Sequence, residues 1–283
     1  MGHGKLKKFS ENATFACLLQ PASDEVLAGR GDESGTRLNL KDHPVKGNWC
    51  GKMFHGRECP TVLELGCGKG EYTTALAERN PDMNYVGVDI KGARLWKGAK
   101  YATEAGLPNV AFLRTRIEFI EAFFAPGEIS EIWLTFSDPQ MKSENSRLTS
   151  PMFLERYRKF LRSGGIIHLK TDSTFLYEYT VAVCAKNNLR VLASTSDLYG
   201  TGPEALYSSD FSSVCGKAAV DALFEVQTFY EQNFLSQGFK INYLAFTADH
   251  DGPFETPEFD AAYWREAEAP RFLPGSMQAS RKH

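Results

Sequence analysis

With 283 residues, the chain is long enough for one large α/β domain with additions or for two small domains, and its 42% hydrophobic and 24% charged content excludes wholesale disorder. Its net charge of −3 lacks the basic excess of most nucleic-acid-binding domains, although a local basic patch remains compatible with that value. No apolar run approaches the ~20 residues that span a bilayer, and the N-terminus has no apolar signal region, so we expect a cytoplasmic protein without a membrane partner.

The first segment of the chain predicts little regular structure. Residues 1–60 are rich in Gly, Asp, Asn, Lys and Pro and show no sustained hydrophobic periodicity. Lys5, Lys7 and Lys8 form a small basic cluster, which is more typical of a solvated terminus than of a binding arm. We expect an irregular extension over residues 1–48 that packs partly on the domain that follows.

The six cysteines are scattered without C-x-x-C pairs, a pattern typical of reduced and mostly buried thiols. Cys50, His55 and Cys59 are close enough together to suggest zinc, but the sequence offers no evident fourth ligand. We therefore expect no bound metal ion.

Residues 61–89 predict a βαβ unit that opens a nucleotide-binding sheet. In order, the segment contains an apolar strand over 62–65, a turn with Gly66, Gly68 and Gly70, a helix over about 72–79, and a strand over 85–88 that ends on Asp89. The glycines let the backbone turn sharply and let a ligand approach more closely than a Cβ atom would allow. The helix then points its first N–H groups at the ligand, and the acid suits the two hydroxyls of a ribose.

Dinucleotide sites and S-adenosylmethionine sites share this glycine spacing, so the glycines alone leave both ligands open. Two details favour S-adenosylmethionine. Glu71 stands where a dinucleotide fingerprint would have its last glycine, and Glu64 lies two residues before the turn, where an acid suits the ammonium of an amino acid. The structural alternative is a tight strand-to-helix turn that binds no ligand.

Hydrophobic runs separated by Gly and Pro predict alternating helices and strands after Asp89. The further strands are predicted over 110–114, 132–136, 166–170, 190–194 and 241–247, the last either parallel or antiparallel. The helices are predicted over 92–105, 117–124, 149–161, 175–187 and 218–234, with a loop or short helices over 198–216. The result is a mostly parallel seven-stranded α/β sheet over residues 49–247, followed by an acidic tail over 248–283 whose few aromatic residues suggest a contact with the domain.

Two acids follow predicted strands and are expected at the carboxyl edge of the sheet, where open α/β folds bind their ligands. Asp138 stands after the strand over 132–136 and is delivered to the cofactor's side of the sheet; its structural alternative is an Asx turn before Pro139. Asp172 follows the strand over 166–170, and its structural alternative is to cap the next helix.

Several stretches match one family in order: LELGCGKGEY, YVGVDIKGAR, NVAFL, FSDPQMK, FLERYRKFLRSGGIIHLKTD and TFYE. Together they resemble the bacterial tRNA (guanine-N7-)-methyltransferases, class I Rossmann-like enzymes that methylate a guanine in the variable loop of tRNA. The resemblance covers about residues 49–247 and implies S-adenosylmethionine as the methyl donor and tRNA as the partner.

The resemblance also implies roles for individual residues. Glu64, Gly66, Gly68 and Asp89 would hold the cofactor, and Asp138 would both contact the cofactor and be the catalytic acid. Contacts with tRNA are implied for four positions: Lys142, Asp172, Thr228 and Glu231. Structural alternatives exist here too, because Lys142 could be a free surface lysine, and Thr228 and Glu231 have the spacing of a helix cap.

Two departures from the family pattern bear on the site. Gln140 replaces the usual Trp after the Asp-Pro pair, and residues 143–146 interrupt the basic run, which leaves phosphate binding by this loop open. Arg116 stands at a cofactor position where the family tends to carry an acid. A guanidinium cannot accept a hydrogen bond from the adenine amino group, so that contact is expected from Glu118, from backbone, or not at all.

Other functions remain open from the sequence. The same cofactor site could serve methylation of a small molecule or a protein, which the net charge of −3 would suit. An NAD-dependent oxidoreductase is disfavoured by Glu71 and by the lack of a convincing His, Lys and Tyr catalytic set. The interrupted basic loop makes a non-catalytic RNA-binding subunit conceivable. Monomer and homodimer are both compatible with the sequence.

Overall fold

The computed structural model describes residues 3–29 and 38–269. The strands are β1 (Leu18–Leu19), β2 (Thr61–Leu65), β3 (Asn84–Asp89), β4 (Val110–Arg114), β5 (Ile129–Thr135), β6 (Leu161–Thr171), β7 (Val191–Thr195) and β8 (Asn242–Thr247). The helices are α1 (His3–Asn12), α2 (Trp49–Met53), α3 (Glu71–Arg79), α4 (Gly92–Glu104), α5 (Pro151–Tyr157), α6 (Thr174–Lys186), α7 (Leu198–Tyr207), α8 (Asp210–Cys215), α9 (Lys217–Glu225), α10 (Phe229–Ser236) and α11 (Ala261–Glu268).

These strands form a single mixed sheet in the order β1-β4-β3-β2-β5-β6-β8-β7. All neighbours are parallel except β8, which runs antiparallel to both β6 and β7. The predicted mostly parallel α/β sheet is confirmed, and its last strand is antiparallel. The sheet has an eighth strand because β1, in the N-terminal extension, pairs with β4. Two residues are too few to show the alternation that reveals a strand in a sequence.

Two predicted helices differ from those observed. The segment over 117–124 is a 3₁₀ helix, Ile117–Ala122, and the single helix over 218–234 is two helices, α9 and α10. Val226 has an extended backbone, and the Thr228 hydroxyl accepts a hydrogen bond from the backbone of Glu231. A hydroxyl side chain in this cap position begins a new helix, which explains the break.

The N-terminal extension is more ordered than its composition predicts, because α1 packs on α4. The Asn12 amide donates to the carbonyl of Gly92 at 2.9 Å, and the Trp96 indole donates to the Glu11 carboxylate at 2.6 Å. The two contacts join residues that are 80 and 85 positions apart. A local periodicity cannot reveal such a partner, so the sequence did not predict this helix.

Helices cover both faces of the sheet. On one face, α2, α5 and α6 pack around a core that includes Trp49, Tyr157 and Leu176. On the other, α3, α4 and α7 to α10 pack around a core that includes Tyr72, Leu95 and Phe234. In open α/β sheets covered on both faces, ligands bind at the carboxyl ends of the parallel strands, so we expect the site at that edge. Within the described residues, the structure contains no helix with the length and apolar character that crossing a bilayer requires.

The first part of the acidic tail packs against the domain. Glu268, on α11, is buried and accepts hydrogen bonds from the Ser173 hydroxyl at 2.9 Å and from the Phe175 backbone at 2.7 Å. The Phe259 ring packs edge-on against Phe175 at 5.4 Å. An acid at the first turn of α6 complements the positive end of the helix dipole. The tail residues 270–283 lie outside the described part of the chain.

Candidate active site

The glycine-rich turn after β2 leaves open space for a ligand. Gly66, Gly68 and Gly70 all have positive φ values, of 78°, 59° and 71°. A Cβ atom added at Gly66 or Gly68 would meet no atom of the described residues within 4 Å, whereas one at Gly70 would lie 2.5 Å from the Phe112 ring. The first two glycines therefore border open space, and the third permits close packing of helix and sheet.

Asp89 holds this turn in place. One of its carboxylate oxygens accepts the Gly68 backbone N–H at 3.0 Å, and the other accepts the Lys91 backbone N–H at 2.7 Å. Each oxygen can still accept a second hydrogen bond, as a ribose hydroxyl would require. The next residue, Ile90, is 53% exposed, which is unusual for a large apolar side chain. It offers an apolar surface beside the carboxylate, and no sequence pattern marks it as a candidate ligand contact.

Glu64 lies beneath the turn and is buried. Its two carboxylate oxygens accept hydrogen bonds from the hydroxyls of Thr73 and Thr135. Burial raises the pKa of Glu64 to about 7, and the two hydroxyl donors oppose that rise. The side chain is thus held close to the turn, and it changes between its neutral and charged forms near neutral pH.

Replacing Glu64 by Gln is expected to remove a pH dependence from the free energy of unfolding. The pKa of Glu64 is higher in the folded than in the unfolded protein, so ionisation of Glu64 destabilises the fold. The free energy of unfolding of the wild-type protein is therefore at its full value below pH 4.5 and falls as the pH rises to about 7. The loss is on the order of 3 kcal/mol. Urea unfolding across this pH window measures it, with the exposed Glu58→Gln variant as control. A difference between wild type and Glu64→Gln that stays constant with pH would contradict the expectation.

The loop that carries Asp138 begins with a strained residue. Phe136 follows β5 with a φ of 51°, a conformation that bulky side chains rarely adopt and that costs about 1–3 kcal/mol. Its N–H donates to the Lys170 carbonyl at 2.9 Å, and its ring stacks on Phe234 at 6.1 Å between ring centres. These contacts turn the chain so that the buried Ser137 is followed by the exposed Asp138.

Asp138 makes the Asx turn that its sequence context offered. Its Oδ1 accepts the Gln140 backbone N–H at 2.9 Å. Within residues 3–29 and 38–269, no partner is found for Oδ2. The turn orients the carboxylate, and the exposed Oδ2 can accept hydrogen bonds from a ligand.

Arg116 is exposed just after β4. Its guanidinium donates to the Glu118 carboxylate at 3.3 Å and lies 5.5 Å from the centre of the Phe119 ring. Glu118, the acid that the sequence offers for the adenine contact, is therefore already paired with Arg116. The adenine contact at this position stays a prediction.

The structure places the four residues implied to contact tRNA in different environments. Lys142 is exposed and, within the described residues, makes no ion pair. Asp172 is buried, and the cap of the following helix is Ser173, whose hydroxyl accepts the Leu176 N–H at 3.1 Å. The helix-cap alternative for Asp172 is therefore wrong. Thr228 is the cap of α10, and Glu231, with 0% exposure, lies in the interior.

Glu231 forms a fully buried ion pair with Lys170. The Lys170 ammonium lies 2.7 Å from Glu231 Oε1 and also donates to the Leu223 carbonyl at 2.7 Å. The Tyr199 hydroxyl donates to the same carboxylate oxygen at 2.7 Å. Burial lowers the pKa of Lys170, and the Glu231 charge opposes that fall. The pair fixes α10 to the sheet, so in this conformation Glu231 has a structural partner and is shielded from a macromolecule.

Helix α10 also contacts the glycine-rich turn. The Phe229 N–H donates to the Glu71 carboxylate at 3.2 Å, and the Lys69 ammonium lies 5.1 Å from the centre of the Phe229 ring. Phe229 is 52% exposed, so its ring presents an aromatic surface next to the glycine-rich turn. No sequence signal indicates this contact, because it joins residues 158 positions apart. Within the described residues, no group of three or more His, Cys, Asp or Glu side chains is arranged to hold a metal ion.

The fold and the glycine-rich site define a Rossmann-like methyltransferase. A family model described as a putative methyltransferase matches residues 58–207. The crystal structure of the 16S rRNA methyltransferase KamB superposes with a TM-score of 0.50 at 16% identity, covering 79% of this chain and 98% of that one, which supports the fold alone.

The sequence relatives are more specific. A tRNA (guanine-N(7)-)-methyltransferase of Bacteroides thetaiotaomicron is 44% identical, and one of Bacteroides fragilis is 45% identical, each over 92% of both chains. Another, of Streptococcus suis, is 37% identical over 59% of this chain and 78% of its own. The chain belongs to the tRNA (guanine-N(7)-)-methyltransferase family, as the sequence motifs predicted.

Proposed function

We propose that this protein transfers a methyl group from S-adenosylmethionine to N7 of a guanine in the variable loop of tRNA. The observation that carries the proposal is the match to curated tRNA (guanine-N(7)-)-methyltransferases over 92% of the chain. The site supports it, because the turn and the exposed Asp138 both follow strands of the sheet at its carboxyl edge.

The residues around the turn fit S-adenosylmethionine. The open space beside Gly66 and Gly68 admits a ligand close to the backbone. Asp89 retains acceptor capacity for the ribose hydroxyls, and the exposed Ile90 offers an apolar contact to the adenine ring. Glu64 lies two residues before the turn and supplies negative charge toward the ammonium when it is ionised. When bound, S-adenosylmethionine supplies an electrophilic methyl group on a sulfonium.

The acceptor, guanine N7, carries a lone pair and no proton, so this reaction needs no strong general base. As N7 forms its bond to the methyl carbon, the bond from carbon to sulfur breaks and the base becomes positively charged. What the protein must supply is alignment of the base and stabilisation of that charge.

We assign this role to Asp138. Its Oδ2 is free of partners among the described residues and can accept hydrogen bonds from the N1–H and N2–H₂ edge of guanine. A carboxylate on that edge fixes the base and stabilises the positive charge that develops during transfer. The Asx turn and the strained Phe136 hold the carboxylate in position before the substrate binds.

For tRNA, we assign a phosphate contact to Lys142, which is exposed and free of ion pairs within the described part of the chain. Asp172, Thr228 and Glu231 are buried, so we propose that they shape the substrate side of the site in this conformation. With tRNA as its substrate, the protein is expected to act in the cytoplasm, as a monomer or a homodimer.

The proposal is tested by incubating the protein with labelled S-adenosylmethionine and total bacterial tRNA, then mapping 7-methylguanosine. We expect incorporation into the variable loop. A tRNA transcript with adenine in place of the target guanine is the matched control and is expected to remain unlabelled. Absence of incorporation into total tRNA would overturn the proposal and favour a small-molecule or protein substrate.

A further inference from the structure

Two segments of this chain carry a local excess of positive charge, although the chain as a whole is acidic. Residues 3–12 and 91–104 together hold seven Lys or Arg residues and two Glu, whereas the whole chain has a net charge of −3. The loop after Pro139, where the family pattern would place a basic run, is interrupted by residues 143–146. Lys142 is still present in that loop, but further cations for a polyanion have to come from elsewhere in the sequence.

The fold brings these two segments together. Helix α1 packs on α4 through the hydrogen bond from Asn12 to the Gly92 carbonyl, at 2.9 Å. The Lys8 ammonium lies 4.6 Å from the centre of the Trp96 ring, which belongs to α4. The Lys100 ammonium of α4 lies 5.8 Å from the same ring, and Lys91 and Arg94 stand at the start of α4, next to the Gly92 contact with α1. We call the region formed by Lys8, Lys91, Arg94 and Lys100 the α1/α4 surface.

Part of the charge on this surface is already neutralised by nearby glutamates. Lys7 pairs with Glu11, Lys97 with Glu71, and Lys100 with Glu104. In contrast, Lys8, Lys91 and Arg94 form no ion pair within residues 3–29 and 38–269, and Lys91 and Arg94 are exposed. These side chains are available to a ligand without first breaking an ion pair.

The α1/α4 surface borders the cofactor edge of the sheet. Lys91 follows Asp89 and Ile90 directly, and its backbone N–H donates to the Asp89 carboxylate. Arg114, at the end of β4, donates to the Ile90 carbonyl at 3.3 Å and adds a further cation, which stands 5.5 Å from the Phe9 ring of α1. Lys91 and Arg114 therefore lie next to the carboxyl edge of the sheet, where the glycine-rich turn is found.

We propose that the α1/α4 surface binds backbone phosphates of the tRNA substrate, with Lys91 and Arg94 as its principal contacts. The inference rests on the proposed function, because it names where the same substrate is held. Phosphates are strong acceptors that Lys and Arg bind without regard to sequence, and such contacts set affinity and position while leaving the chemistry unchanged. They would compensate for the interrupted loop after Pro139.

The test compares variants of equal charge. Lys91→Gln/Arg94→Gln removes both proposed contacts, and Lys91→Arg/Arg94→Lys keeps both charges. Lys52→Gln/Arg162→Gln removes the same charge from exposed positions on α2 and at the start of β6, away from the carboxyl edge. Binding of unmodified tRNA is measured from about 50 to about 200 mM salt, together with S-adenosylhomocysteine affinity and the KM and kcat of methylation.

We expect Lys91→Gln/Arg94→Gln to weaken tRNA binding about tenfold at low salt. The slope of log K against the logarithm of the salt concentration should become shallower by about 1–2, while kcat and S-adenosylhomocysteine affinity stay unchanged. The charge-preserving variant and the Lys52→Gln/Arg162→Gln control should keep the wild-type salt dependence. If both glutamine pairs weaken binding equally, or neither does, the surface assignment is overturned. If the wild-type protein itself fails to methylate tRNA, it is the proposed function that fails.

Discussion

Replacing Asp138 by Asn is expected to lower the rate of tRNA methylation by about 10²- to 10³-fold, while S-adenosylhomocysteine affinity stays within about twofold of wild type. An Asn side-chain oxygen can still accept the Gln140 N–H, so the Asx turn and the loop should persist. What the variant lacks is the negative charge that, in our proposal, stabilises guanine as it becomes cationic. The substitution therefore removes the charge of residue 138 while keeping the geometry of its loop.

Single-turnover methylation at saturating tRNA measures the chemical step, and calorimetric titration with S-adenosylhomocysteine measures the cofactor site. The matched control is Asp251→Asn, which removes a charge from an exposed residue in the tail segment before α11. It should leave both quantities unchanged. Unchanged turnover in Asp138→Asn would show that Asp138 only forms the turn, and an equal loss in rate and cofactor affinity would place its role in cofactor binding instead.

The parts of the fold that the sequence predicts well are those determined by local pattern. Residues 61–89 combine two apolar runs with glycines at fixed spacing, and β2, α3 and β3 are found there. The turn needs positive φ at Gly66 and Gly68, and only glycine adopts that conformation readily, so the sequence itself marks the turn. The position of Asp138 was predictable for a similar reason, because an acid that follows a buried parallel strand within a few residues is expected near the carboxyl edge.

The parts that could not be predicted depend on contacts between distant residues. The sequence places Lys170 at the end of an apolar strand and Glu231 in a helical pattern, and charged residues are usually assigned to the surface. Only the fold shows that the two neutralise each other in the interior. Helix α1 is a similar case, because its ordering depends on the surface of α4, which lies some 80 residues further along the chain.

Breaking the buried pair is expected to give the largest loss of stability among the substitutions considered. Lys170→Met should lower the free energy of unfolding by about 3–5 kcal/mol, because it leaves the Glu231 carboxylate buried without its counter-charge. The ammonium's hydrogen bonds to the Leu223 and Val226 carbonyls are lost as well. Urea unfolding followed by circular dichroism measures the change.

Two further variants decide whether the uncompensated charge is the cause. Lys170→Met/Glu231→Leu replaces both partners with apolar groups of similar size, so it should be more stable than Lys170→Met although it has lost more polar contacts. Lys186→Met removes a lysine from an exposed ion pair with Glu255 and should have a much smaller effect, since water already solvates both groups. If the double variant is as unstable as Lys170→Met, the loss comes from packing around the lysine stem.

The same pair connects stability to the site. The Lys170 carbonyl accepts the N–H of the strained Phe136, while the Lys170 ammonium holds Glu231 on α10. Helix α10 in turn provides Phe234, which stacks on Phe136, and Phe229, whose N–H donates to Glu71 beside the glycine-rich turn. In a folded Lys170→Met/Glu231→Leu protein, we therefore expect a lower methylation rate at unchanged S-adenosylhomocysteine affinity, because Phe136 loses part of the support that orients Asp138. Wild-type turnover in that double variant would show that the ion pair serves folding alone.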